Sequence, residues 1–239
     1  MFGSDANDDA ADTSTGATDD ATDQSDEAAD FAARRDRLVD RLRGRGAIES
    51  DAVAEAMRAV PRHEFVPESR RDAAYTDRPQ PIGEGQTISA PHMVAVMAEL
   101  LNLSPGDHVL EIGTGCGYHS AVTAELVEGI YSVEYERALA EAARERLDRL
   151  GYANVRIRVG DGHDGWQAHA PYDAVYLTCA ADALPDAVVE QVRPGGRIVA
   201  PVGRRRQQLV RARRRADGSL ARETHGGVRF VPMRGGGGD

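Results

Sequence analysis

From His108 onward the chain alternates short apolar runs with helix-length amphipathic stretches, and this alternation limits what it can fold into. His108–Ile112, Ile130–Glu134, Val155–Val159, Asp173–Thr178 and Arg197–Pro201 read as strands. Tyr118–Val127, a stretch from about Glu136 to Leu150, and one around Pro185–Val192 read as the helices between them. Parallel strands cannot be joined by a tight turn; they need a crossover, which is almost always right-handed and carries a helix. The expected fold is therefore α/β, a doubly wound and mostly parallel sheet covered on both faces. Gln208–Arg214 and Val228–Val231 suit a closing antiparallel pair.

Upstream, the pattern predicts N-terminal helical additions. Phe31, Leu38 and Leu42 recur at near-helical spacing and stop at Gly44 and Gly46. Ser50 caps a second helix with Val53, Met57 and Val60 on one face and Pro61 at its end. Residues 61–85 show no clear period, and long irregular stretches inside compact domains are often functional. A third helix begins at Pro91 behind a Ser89 cap and runs through Met93, Met97, Leu100 and Leu101.

The net charge of −10 is unevenly placed. Residues 1–30 hold nine Asp and one Glu with no basic residue, whereas residues 193–239 hold twelve Arg against three acids. The chain has no Lys at all. Residues 1–26 carry too little apolar surface to offset the entropy of ordering and read as a disordered acidic tail, with docking onto the Arg-rich region as an alternative. The expected layout is this tail, a single domain over 27–234, and a flexible Gly-rich end at 235–239. No apolar run approaches the roughly 20 residues of a membrane span, and the first ten residues have no secretory-signal pattern. Cys116 and Cys179 have neither metal-ligand spacing nor the density of a disulfide scaffold. We therefore expect a cytoplasmic protein with no metal site and no membrane partner. With no apolar stripe left over, a monomer is the default. Arg204–Arg206 and Arg213–Arg215 read first as solvated charge. Attraction of acidic segments or nucleic acid is the alternative, and the lack of nearby stacking aromatics argues against nucleic acid.

The chemistry-bearing features fall at strand ends. The first expected strand runs through Gly113-Thr114-Gly115-Cys116-Gly117 straight into a helix. Small residues let backbone N–H groups approach a ligand, and a helix start favours an anion, although the same pattern also makes a plain turn. The dinucleotide form does not fit, because its third glycine would fall on Tyr118. Glu134 ends the next strand, where an acid can accept from both ribose hydroxyls, and Gly160-Asp161-Gly162 ends the third, where an Asp can accept from an adenine amino group. Each also has an ordinary reading, solubility for Glu134 and a turn for Asp161.

These features together resemble the S-adenosyl-L-methionine-dependent methyltransferases of Rossmann-like fold. Gly85-Gln86-Thr87-Ile88-Ser89-Ala90-Pro91-His92-Met93 narrows the resemblance, because it is similar to the signature of protein-L-isoaspartate O-methyltransferases. Arg62-His63-Glu64-Phe65-Val66-Pro67, Pro81-Ile82-Gly83, Ala170-Pro171-Tyr172-Asp173 and Arg193-Pro194-Gly195-Gly196-Arg197 follow that family in order and spacing. The match spans about residues 35–233. It implies repair of aged proteins: methylation of the free α-carboxylate of isoaspartyl residues in proteins and peptides, to an ester that re-closes to succinimide.

The resemblance also implies residue roles. Ser89 would orient the acceptor carboxylate, the helix cap being its alternative role. Gln86, Thr87, Ile88 and Ser89 would line the cofactor, with Glu111, Gly113, Gly115, Glu134, Asp161 and Gly162 completing its pocket. Thr178, Cys179, Ala180 and Ala181 would floor the substrate backbone, while His92 is structural. Asp182 departs from the proline frequent in the family, which changes the charge beside an anionic substrate.

Overall fold

The computed structural model describes the backbone of residues 17–236 and the side chains of residues 27–236. A seven-stranded sheet forms the centre. Its strands are β3 (His108–Ile112), β4 (Gly129–Glu134), β5 (Val155–Val159), β6 (Tyr172–Leu177), β7 (Val192–Val202), β8 (Gln207–Arg214) and β9 (Leu220–Val228). They lie in the order β5-β4-β3-β6-β7-β8-β9. The first five pair in parallel; β7–β8 and β8–β9 are antiparallel. The winding reverses between β3 and β6, which opens a crevice at their C-terminal ends, the place where such sheets hold ligands.

The parallel strands stand where the apolar runs placed them. The closing pair does not: β8 turns at Asp217-Gly218 into Leu220–Val228, not into Val228–Val231. Arg215 N–H donates to Ser219 O at 2.8 Å and Ser219 N–H to Asp217 Oδ1 at 2.9 Å, which closes a tight hairpin. Residues beyond Val228 instead run back across the strand ends, where Ala180 N–H donates to Val231 O and Met233 N–H to Ala180 O, both at 2.8 Å.

Five further elements flank the crossovers' start. They are α1 (Ala17–Gly44), α2 (Asp51–Ala59), β1 (Gln80–Gly83), β2 (Gln86–Ile88) and α3 (Pro91–Leu101). Helix α1 begins upstream of Glu27, so residues 17–26 are helical where the sequence suggested disorder; an acidic, Ala-containing stretch suits the positive end of a helix. The rest of the expected tail, residues 1–16, and the last three residues of the Gly-rich end lie outside the described residues. Ser50 caps α2 as expected, its Oγ accepting from Val53 N–H at 3.2 Å. The additions bury Phe31, Leu38, Leu42, Met57 and Phe65 against Val94, Tyr118, Val122 and Leu147. Each large apolar side chain buried contributes roughly 1.5–3 kcal/mol.

The irregular stretch contains a hairpin that periodicity does not reveal. β1 and β2 pair antiparallel through Glu84 and Gly85, at φ 50° and 69°. Two successive positive φ values make the turn that suits a two-residue hairpin. The hairpin delivers Gln86–Ser89 to the crevice. The remaining helices α4 (Tyr118–Ala124), α5 (Arg137–Arg149) and α6 (Asp186–Glu190) follow β3, β4 and β6.

Candidate active site

The crevice between β3 and β6 widens into a cleft whose wall is built by four strand ends and the β2–α3 segment. Gln86, Thr87, Ile88, Ser89, Gly113, Gly115, Glu134, Gly162, Thr178 and Cys179 all line it. Residues as far apart in the sequence as Gln86 and Cys179 thus converge only because the winding reverses here.

The glycine loop is held from β4. Glu134 Oε2 accepts from Gly115 N–H at 2.8 Å and Oε1 accepts from Glu136 N–H at 2.9 Å. Each oxygen keeps a second lone pair, so the carboxylate can still accept from a pair of ligand hydroxyls. Gly113, at φ 95°, and Gly162 are close-approach positions: a Cβ would run into Thr178 Oγ1 at the first and Ile112 Cγ2 at the second. Cys179 shares the wall, and burial pushes its thiol up to about 12, so it stays protonated and non-nucleophilic.

Ser89 stands at a seam. Thr87, Ser89, Thr178 and Val231 line both this cleft and an adjoining hollow bounded by Pro79, His92, Arg229 and Phe230. Among the described residues the Ser89 hydroxyl has no hydrogen-bond partner. It does not cap α3, whose N-cap is Ala90 without a side-chain bond. Asp77 serves that helix start instead, accepting from His92 N–H at 2.9 Å and lying 2.8 Å from His92 Nδ1, which gives His92 the structural place expected of it.

Four expected site residues are placed elsewhere. Glu111 lies beneath the cleft, fully buried, accepting from Ser120 Oγ (2.5 Å), Ser132 Oγ (2.6 Å) and Tyr176 OH (2.8 Å). Burial raises its carboxyl to about 7 despite those three donors. Strand alternation explains the miss: Glu111 and Ile112 point to opposite faces. Asp161 flanks the cleft without lining it; its oxygens accept from His163 N–H at 2.9 Å and Gly236 N–H at 2.6 Å. Burial opposes its charge, but those bonds outweigh it and hold the carboxyl below its ordinary value. Ala180 and Ala181 face a third hollow with Asp182 and Arg204. Their backbones are already paired, Ala180 with Val231 and Met233, and Ala181 with Pro201 and Gly203. They do not share a hollow with Ser89, whereas Thr178 and Cys179 line the cleft with it.

Sequence reasoning missed the segment Val231–Arg234, which closes one side of the cleft. Arg234 ion-pairs with Glu136 across its mouth. Nothing in periodicity marks such a segment, because its backbone bonds run to Ala180, far from it in the sequence. It also missed His119, a buried wall residue tilted against the Tyr176 ring with centroids 4.4 Å apart, which burial keeps neutral with a pKa of about 3. Among the described residues no His, Cys, Asp and Glu cluster could hold a metal ion. No helix there is long and apolar enough to cross a membrane.

Comparison with known proteins agrees with this layout. Residues 33–237 match the family described as Protein-L-isoaspartate(D-aspartate) O-methyltransferase (PCMT). The chain is 53% identical over 205 residues to protein-L-isoaspartate O-methyltransferase 2 of Archaeoglobus fulgidus, covering 84% of this chain and 93% of that one. It is 51% identical over 210 residues to the corresponding enzyme of Methanopyrus kandleri, covering 86% and 93%. A solved protein-L-isoaspartate O-methyltransferase superposes with a TM-score of 0.76 at 32% identity, over 84% of this chain and 66% of that one. The fold also matches a putative Plasmodium falciparum member in complex with S-adenosyl-L-homocysteine, with a TM-score of 0.75 at 24% identity, over 84% and 98% of the two chains.

Proposed function

The chain belongs to the protein-L-isoaspartate(D-aspartate) O-methyltransferase family, and from that premise we propose that it methylates the free α-carboxylate of L-isoaspartyl residues in damaged proteins and peptides. The single observation that carries this reading is the unpartnered Ser89 hydroxyl at the seam of two hollows. One hollow has the features of a nucleoside site, the other adjoins it at Ser89, and a hydroxyl between them can donate to a carboxylate.

The residues present fit S-adenosyl-L-methionine. Glu134 retains acceptor capacity for hydroxyls beside the glycine loop that it holds through Gly115. Gln86, Thr87, Ile88, Gly115 and Glu134 would hold it, with Asp161 at the edge. When bound, it supplies an electrophilic methyl group and a neutral thioether leaving group.

The chain's own task is positioning. An α-carboxylate with a reference pKa of roughly 3.5 is ionised at neutral pH, so no general base is needed. Ser89 donates to one oxygen and leaves the other to attack. Thr178 cannot substitute, because its hydroxyl is engaged with Gly113 O at 2.5 Å. Holding the reacting atoms in line is the main source of rate, and effective molarities for such alignment reach about 10⁵–10⁸ M. The ester then re-closes to succinimide without the enzyme. The same reading takes the protein as a cytoplasmic monomer, its single domain starting near Glu27, with isoaspartyl chains as partners and no nucleic acid or membrane.

Methyl transfer from labelled S-adenosyl-L-methionine to an isoaspartyl peptide, set against its aspartyl twin, tests it. Label on the isoaspartyl peptide alone is the expected result. Equal labelling of both, or none with cofactor binding intact, overturns it.

A further inference from the structure

Arg62 is a cation buried where the proposed chemistry does not use it. Its side chain is wholly inaccessible. Nε donates to Ala74 O at 2.9 Å and Nη2 to Ser89 O at 2.8 Å, while Nη1 has no partner. Among the described residues no carboxylate is paired with it. Its guanidinium lies over the ring of Tyr118, 4.6 Å from the centroid, and Tyr118 both opens α4 and lines the cleft.

An unpaired buried charge costs several kcal/mol, and an apolar side chain of similar volume fills a core as well or better. Packing alone therefore gives no reason for this arginine. Its geometry does: one planar group touches the acceptor side of the site at Ser89 O and the cofactor side at Tyr118. Among the described residues Ser89 itself makes no hydrogen bond to the central sheet, so the guanidinium is what ties that residue's backbone to the glycine-loop helix. Arginine suits the task because a planar fork can bond two carbonyls and stack on a ring at once, which a lysine cannot.

We propose that Arg62 is a positioning residue for methyl transfer, fixing the Ser89 backbone, and through it the acceptor hydroxyl, relative to the cofactor wall. The proposal rests on the methyltransferase reading above and goes beyond it.

A double-mutant cycle tests it in the full-length chain. Turnover on an isoaspartyl peptide is measured for wild type, Arg62→Met, Ser89→Ala and the double variant, with cofactor affinity from calorimetry and folding from circular dichroism. Arg62→Met is expected to lower kcat by roughly 10- to 100-fold, the scale of a misplacement near 1 Å. Cofactor affinity should change less than about threefold. In the Ser89→Ala background the same substitution should cost almost nothing further, because residues acting through one another are not additive. Equal loss in both backgrounds overturns the proposal, as does wild-type kcat in folded Arg62→Met. If Arg62→Met does not fold, Arg62→Lys carries the same cycle with the same two outcomes. An inactive wild type would defeat the methyltransferase reading itself, which keeps the two failures apart.

Discussion

Gly115 donates its amide to Glu134 at 2.8 Å, so the glycine loop and the end of β4 hold each other at the floor of the cleft. A carboxylate that both shapes the loop and faces the ligand space does two jobs. Hydrogen bonds to charged groups are worth about 1.5–3 kcal/mol. Glu134→Ala is expected to weaken S-adenosyl-L-homocysteine binding by roughly 10- to 100-fold, measured by calorimetry. Unchanged affinity would remove Glu134 from the ribose position.

Ser89→Ala separates two roles that the sequence alone left open. A lost helix cap typically costs about 1 kcal/mol of stability. Here the cap position is Ala90 and the hydroxyl has no partner. The variant should therefore melt within about a degree of wild type, bind cofactor normally and turn over at least tenfold more slowly. A clear drop in Tm with activity retained would restore the capping role.

Glu111 makes stability depend on pH. Its folded pKa of about 7 lies above the ordinary carboxyl value because burial disfavours the charged form. The folded state thus binds its proton more tightly than the unfolded state does. This contribution is fully present below about pH 4 and is lost as pH rises through 7. Denaturant titrations between pH 5 and 8.5 should show falling stability in wild type and a flatter profile in Glu111→Gln. Parallel profiles would mean that another group sets the slope.

Gly162→Ala and Gly106→Ala form a matched pair. A Cβ at Gly162 would collide with Ile112 Cγ2 and press on Met233, whereas at Gly106 it would meet nothing within 4 Å. Overpacking costs about 1–3 kcal/mol. The first substitution should lower Tm and cofactor affinity together, while the second leaves both nearly unchanged. Equal Tm values for the two variants would show that the cleft relaxes around a methyl group.

Legibility in the sequence followed the range of the forces involved. The five parallel strands were readable because burial on both faces writes them as apolar runs, such as His108–Ile112. Glu134, Gly113 and Gly115 line the cleft because the carboxyl ends of strands in a doubly wound sheet border its crevice. The motif around Ser89 came from family resemblance, since neither periodicity nor composition distinguishes it. Glu111, which the resemblance assigns to the cofactor pocket, lies beneath the cleft because its side chain takes the face of β3 opposite to that of Ile112. β9 was missed because Arg-Glu-Thr-His-Gly-Gly, exposed at the sheet's edge, has no apolar alternation to betray a strand. Ala180 and Ala181 stand in a separate hollow because their backbones pair with Val231, Met233, Pro201 and Gly203, and such long-range pairing leaves no local trace in the sequence.

The hairpin β1–β2 and the residues up to Ala90 lie outside the seven-stranded sheet, yet they carry Ser89, while the sheet carries Glu134 and the glycine loop. Under the proposed reading the donor site draws on both stretches, Gln86–Ile88 from the hairpin and Glu134 with the glycine loop from the sheet. A shift of the hairpin against the sheet would disturb donor and acceptor together, so a lineage that altered one specificity would have to alter the other in step.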